Sequence, residues 1–201
     1  MTQIIRAAAS DLDVLSAVIA EAFCDLPPSR WLISDRDARC QVFPGYFRLY
    51  LERALAHGIV HTTPERDAAA LWIPIGPEPP DQPDGYPERL LATTTPWTER
   101  FLAFDAALDS RHPAGTPHHH LALLGVRPDR QGQGTGTSLL RLHHRSLDHA
   151  GQPAYLEASS PQNRRLYLRH GYADLGPPIE LPGGPPMYPM MRKPLAQRRS
   201  Q

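Results

Sequence analysis

Glycines alternate at Gly132, Gly134 and Gly136, directly ahead of a leucine-rich helical pattern. Glycine lets a backbone approach a ligand closely and turn successive N–H groups inward. A helix start adds unpaired donors and the positive end of a dipole. The run Gln131-Gly132-Gln133-Gly134-Thr135-Gly136-Thr137 therefore reads as an anion site suited to phosphate. It holds no lysine, which excludes the G-x-x-x-x-G-K-[ST] phosphate loop. Its spacing is G-x-G-x-G rather than G-x-G-x-x-G, and it comes late in a short chain, which argues against a dinucleotide fold.

Other residues could move protons. Glu157 interrupts the apolar run Ala154–Ala158. A carboxylate buried there should have a raised pKa and could act as a base, directly or through water. A structural glutamate, hydrogen-bonded at a sheet, is the equal alternative. His120, at the head of an apolar stretch, is the rival base. Asn163 and Tyr167 lie one turn apart on a short amphipathic segment, so they share a face. Tyr167 is either a core aromatic or a proton donor. No metal is expected. His118, His119 and His120 alternate faces on an extended chain, and His143 and His144 lack the i,i+4 spacing of a chelating pair. Cys24 and Cys40 read as small core residues.

The elements that must position these residues follow from periodicity and punctuation. Ile4-Ile5 opens a short strand. Ser10 reads as the N-cap of a helix carrying Leu12, Leu15, Val18, Ile19, Ala22 and Phe23, which Pro27-Pro28 ends. A second helix spans about 35–57, with a late start or kink at Pro44. Strands follow at Ile59–Thr62 and Ala68–Ile73, then a proline-dense loop over Pro74–Pro87. Helix is expected over Glu88–Asp109, interrupted at Thr93–Pro96. His120–Val126 is a strand, Thr137–Ala150 a helix, Ala154–Ala158 a strand and Pro161–His170 a short helix. Tyr172–Ile179 and Met187–Met191 complete the pattern as strands. This order of strands and helices is α+β or α/β, neither a bundle nor a sandwich. We expect a single domain over 1–193 and a flexible tail over 194–201.

Composition narrows the function class. Lys+Arg and Asp+Glu balance at 21 each among 201 residues, so no basic excess serves a general nucleic-acid binder. No apolar run approaches a membrane span, and Met1–Ser10 shows no secretory signal. With only two cysteines, a cytoplasmic location is the simplest expectation.

Two segments together carry a family resemblance. Leu123-Leu124-Gly125-Val126-Arg127-Pro128-Asp129, running on through Gln131-x-x-Gly134-x-Gly136, resembles the pyrophosphate loop of the GCN5-related N-acetyltransferase (GNAT) superfamily. The segment from Tyr155 to Tyr172, with Asn163, Tyr167 and Gly171, resembles that family's second cofactor segment. The likeness covers roughly 117–192. Its details, with Met187-Tyr188-Pro189-Met190-Met191 near the end, look like the puromycin N-acetyltransferase branch.

The resemblance implies a central, mostly antiparallel, twisted sheet of six to seven strands, flanked by helices and splayed at the cofactor strand. It implies acetyl-CoA as cofactor, with pyrophosphate on the N–H groups of Gln131, Gly132, Gln133, Gly134, Thr135, Gly136 and Thr137. The pantetheine arm would lie along Leu124 and Val126 and bond Asn163, and Tyr167 would protonate the leaving thiolate. The amine acceptor would contact the first two helices, the loop between them and late loops, where Glu21, Asp25, Trp31, Asp35 and Tyr50 are candidates, with Trp72 on a neighbouring strand. A small-molecule amine is the implied substrate, antibiotics included, with an aminonucleoside or an aminoglycoside such as kasugamycin as rivals. A homodimer is possible in this family. A non-catalytic acyl-CoA sensor and a protein or peptide N-acetyltransferase are the competing functions.

Overall fold

A computed structural model describes residues 2–77 and 85–195. Part of the Pro74–Pro87 segment and most of the expected tail lie outside them. In chain order the elements are β1 (Ile5–Arg6), α1 (Leu12–Phe23), α2 (Pro27–Leu32), α3 (Arg36–His57), β2 (Ile59–Thr62), β3 (Ala68–Ile75), α4 (Tyr86–Thr94) and α5 (Thr98–Asp109). There follow β4 (His118–Val126), α6 (Thr135–Ala150), β5 (Ala154–Ala158), α7 (Pro161–Leu168), β6 (Tyr172–Asp174) and β7 (Tyr188–Arg192).

Seven strands form a sheet in the order β1-β2-β3-β4-β5-β7-β6. Neighbours are antiparallel except β4 and β5. This is the mixed α+β, mostly antiparallel sheet expected from the resemblance. β3 is central and buried on both faces. Its alternate residues Ala69, Leu71, Ile73 and Ile75 join a core with α1 and α3. Ala68, Ala70 and Trp72 join a second core with α6 and α7 on the opposite face. That is the period-two alternation of a strand feeding two layers.

β4 departs from this alternation in a useful way. Its ladder with β3 shifts register between Leu71 and Trp72, so Ala122 is the extra residue of a bulge. Ala122 and Leu123 consequently both face the α1/α3 core, while Leu121 and Leu124 face the other. Further along, a Cβ on Gly125 would stand 2.8 Å from Ile19 and 3.1 Å from Ala22. Only glycine lets α1 lie this close to the strand.

β4 and β5 pair only at His119↔Ala154 and His120↔Tyr155. β4 then runs on to Val126, while β5 pairs with β7 along its whole length. The sheet is therefore splayed at β4, leaving backbone groups on the β5 side of that strand without a ladder partner among the described residues.

Several local expectations need correction. Ser10 does not cap α1. Asp11 stands at that position after a 3-10 turn, and its carboxylate accepts from the Ala8 N–H at 3.0 Å. Pro27 and Pro28 do not simply end a helix but begin α2, since proline suits the first helical turn. α3 neither starts late nor breaks at Pro44. Asp35 caps it, accepting from the Ala38 N–H at 2.7 Å, and it runs to His57. The long strand expected over Tyr172–Ile179 is only β6, plus one isolated bridge between Ile179 and Met187. Cys24 is buried but Cys40 is exposed, with the two sulfurs 3.8 Å apart.

Candidate active site

The glycine loop joins β4 to α6 on the side where the sheet is splayed. Gly132 and Gly134 have φ of +76° and +84°, a region other residues enter only with strain. Gly134 is the N-cap of α6, and the Ser138 N–H bonds back to its carbonyl at 3.0 Å. The N–H groups of Thr135, Gly136 and Thr137 thus lie in the helix's first turn, with no acceptor inside the helix. Gln131 is exposed and donates from its side chain to the Val126 carbonyl at 3.0 Å, tying the loop to the strand end. Left-handed glycines, first-turn donors and an open strand edge suit a phosphate-bearing ligand with an extended amide-rich arm. The loop and edge thus fit coenzyme A.

α7 stands beside this opening. Ser160 caps it, and the Asn163 side chain donates to Ser159 Oγ at 2.8 Å. Tyr167 is buried in the α6/α7 core, its ring 5.7 Å from that of Tyr172. Burial pushes its phenol well above the usual range, so it stays protonated at any physiological pH.

The opposite face of the sheet carries a second cluster. His118, His120, Tyr155 and Glu157 point there because they alternate with Leu121, Leu156 and Ala158, which face α6 and α7. His120 Nε2 lies 2.9 Å from Glu157 Oε2, and His112 Nδ1 lies 3.8 Å from Oε1. The Glu157 side chain is 6% exposed. Burial pushes its carboxyl up, but His120 and His112 outweigh that and hold it below the usual carboxylate range. The raised pKa expected for Glu157 is thus overturned, because sequence could not supply the two imidazoles. An ionised carboxylate only accepts, so the contact assigns the proton to His120 Nε2 and leaves Nδ1 as the basic nitrogen.

His120 and Glu157 line a cavity of about 440 Å3. α3, α4 and α5 add Tyr50, Arg53, Tyr86, Asp105 and Asp109 to its lining. The Tyr86 hydroxyl donates to Asp105 at 2.8 Å and the Tyr50 hydroxyl at 3.4 Å. Burial raises the Asp105 carboxyl to about 6, with Asp109 adding to the rise and the two phenols opposing it.

Of the acceptor-site candidates, Tyr50 lines this cavity. Trp72 is fully buried on the other face, stacked on His143 with ring centroids 4.1 Å apart. Trp31 donates to the Pro182 carbonyl and packs on Ile179, Leu181 and Met187. Asp25 pairs with Arg39 at 3.2 Å, Asp35 caps α3, and Glu21 is an exposed residue of α1. Asp105, Tyr86 and His112 were missed. Asp105 follows Phe104 on a helix of weak amphipathicity, and His112 sits in a loop; neither carries a motif.

Comparison with known proteins bears directly on this geometry. Residues 100–174, which contain the loop, β4, β5 and α7, match the family model described as the acetyltransferase (GNAT) domain. This segment is similar to an acetyltransferase domain. The fold around it is shared with solved structures over nearly the whole chain. A Corynebacterium glutamicum protein described as histone acetyltransferase HPA2 and related acetyltransferase aligns with a TM-score of 0.74 at 23% identity, covering 98% of this chain and 99% of that one. Arylalkylamine N-acetyltransferase 2 of Aedes aegypti aligns at 0.66 and 12% identity, over 95% and 98%. Naa20 of Chaetomium thermophilum, solved with a bisubstrate analogue, aligns at 0.52 and 12%, over 96% and 86%. The domain match and the shared fold support an N-acetyltransferase. No helix among the described residues is long and apolar enough to cross a membrane.

Proposed function

We propose that this chain is an acetyl-CoA-dependent N-acetyltransferase acting on a small cationic amine. The observation that carries the reading is the cavity. It is lined by a proton-accepting His120–Glu157 pair and by a half-buried carboxylate, Asp105. Its volume of about 440 Å3 suits a small molecule. The loop from Gln131 to Thr137 would hold the pyrophosphate, with the open edge of β4 at Leu124 and Val126, and Asn163, along the arm. When bound, acetyl-CoA supplies an acyl group activated as a thioester.

The chain's own residues then divide the work between the two faces of the sheet. Asp105, with Tyr50 and Tyr86, anchors a positive group of the acceptor. His120 Nδ1 takes the proton that the attacking nitrogen must lose, and Glu157 holds the ring and offsets the charge it gains. Tyr167, on the opposite face, is the donor to the leaving thiolate. Transfer is direct, since Cys24 and Cys40 lie far in sequence from both cofactor segments and pair with each other near α1 and α3.

An antibiotic amine is the substrate class we put first, on the resemblance to the puromycin branch. An aminonucleoside and an aminoglycoside such as kasugamycin both carry the cationic nitrogen that Asp105 would anchor. The first experiment is thiol release from acetyl-CoA against puromycin, kasugamycin, other aminoglycosides, polyamines and short peptides. Turnover confined to a cationic antibiotic is the expected result. Preference for peptides would move the assignment to protein acetylation. Coenzyme A binding with no turnover on any amine would favour a sensing role.

A further inference from the structure

Two buried oxygens of the His120–Glu157 cluster, Glu157 Oε1 and the Tyr155 hydroxyl, have no hydrogen-bond partner among the described residues. The Thr116 carbonyl can only accept, so the 2.7 Å contact from His118 Nδ1 places a proton on that nitrogen. In the neutral ring, His118 Nε2 is then an acceptor. Its 3.1 Å contact with His112 Nε2 requires the proton to sit on His112. With His112 neutral, the lone pair of Nδ1 would face Glu157 Oε1, 3.8 Å away; in the ion pair that holds that carboxyl down, Nδ1 carries a proton instead. That carboxylate oxygen is buried and makes no hydrogen bond. A cation between Nδ1 and Oε1 is what this arrangement asks for, and a proton and a metal ion both meet the demand.

We infer that His112 Nδ1, His120 Nε2 and Glu157 form a binding site for a zinc ion in the lining of the acceptor cavity. The three donor atoms lie within 4.8 Å of one another, a span that ligands at 2.0–2.2 Å from one ion can close with small side-chain adjustments. Two imidazoles and a carboxylate are a donor set that zinc accepts, with a fourth position left toward the cavity. The chain Thr116–His118–His112 supplies the outer hydrogen bonds that fix the metal-binding tautomer. His112 comes from the loop after α5, His120 from β4 and Glu157 from β5, so no sequence spacing announces the site.

Occupancy has a defined consequence for the proposed reaction. Metal on His120 Nε2 moves the ring proton to Nδ1, the nitrogen that must accept a proton from the amine. Zinc would thus bind well and suppress acetyl transfer. Binding itself does not rest on the acetyltransferase reading, since it needs neither acetyl-CoA nor amine.

The test is a zinc titration of the metal-free full-length chain by calorimetry in the presence of a competing chelator, with the visible spectrum of added Co2+ reporting coordination. We expect one equivalent to bind, and His112→Ala and His120→Ala each to weaken it at least about 100-fold. His57→Ala, on an exposed helix end, should leave it unchanged. Circular dichroism checks that each variant is folded. His112 stands in a loop but its ring packs on His118, His120 and Tyr155, so the fold check is needed for that variant above all. A zinc-inhibited wild type recovered by chelator, with that inhibition lost in His112→Ala, would agree. No stoichiometric binding, or equal binding by all variants, would overturn the site and leave a protonated His112 paired with Glu157.

Discussion

Asp105 is the residue whose environment says most about the acceptor. It faces Tyr46 and Tyr50 across α3, Tyr86 on α4, Asp109 on its own helix and Arg53 on the cavity wall. With its pKa near 6, it is largely neutral below that pH and ionised above. The KM for a cationic amine should therefore fall as pH rises through about 6. Asp105→Asn should abolish that dependence and raise KM roughly ten- to hundredfold, with kcat little changed. A KM that ignores both would remove Asp105 from the acceptor site. His120→Ala should instead lower kcat by about 10²–10⁴. Tyr167→Phe should lower turnover while coenzyme A affinity, measured by direct binding, stays constant. Full turnover in that variant would return Tyr167 to a core role. The motif residues of this site were legible because backbone-binding loops need particular residue types at fixed intervals. Asp105 and His112 were not, because a cavity wall needs only that distant elements converge.

At the scale of elements, the decisive feature is how β4 is framed. Its bulge at Ala122 reverses the alternation, Gly125 lets α1 press against it, and its divergence from β5 opens the sheet. The α6 end of the loop depends on Gly134 at φ +84°. Gly134→Asp adds both backbone strain and a negative charge beside the expected pyrophosphate. Coenzyme A binding should be lost in a folded protein. Unchanged affinity would sink the loop assignment. Helical periodicity located α1, α3 and α6 well. It could not foresee the bulge, since a single extra residue leaves the strand's composition intact.

For the whole molecule, the histidines predict how it fails in acid. His143 and His144 on α6 are buried against the sheet, His143 over β2, β3 and β4 and His144 beside β6. His61, His119 and Trp72 surround the first; Tyr172, His170, Arg192 and Asp148 surround the second. Burial, reinforced by neighbouring positive groups, lowers their pKa from 6.5 to about 2 and about 3. An unfolded histidine takes a proton near 6.5, whereas these folded ones do not until far lower. Between those values the unfolded chain binds more protons, so stability is held above pH 6.5 and lost as pH falls. Each group should cost about 3 kcal/mol by pH 4.5. Urea unfolding at pH 7 and at 4.5 would show the drop. Equal midpoints would mean these rings titrate normally.

The sequence by itself determined where the glycine loop lies and the order of elements. Left-handed loop positions demand glycine, helix faces demand a 3.6-residue period, and both demands are local. The pairing of His120 with Glu157, the depression of that carboxylate, the burial of Trp72 away from any acceptor and the cavity lined by Asp105 were decided only by tertiary structure. Each depends on which face of the sheet a residue occupies and what a distant element brings against it. Desolvation and Coulomb energy follow from that spatial neighbourhood, to which position along the chain is blind.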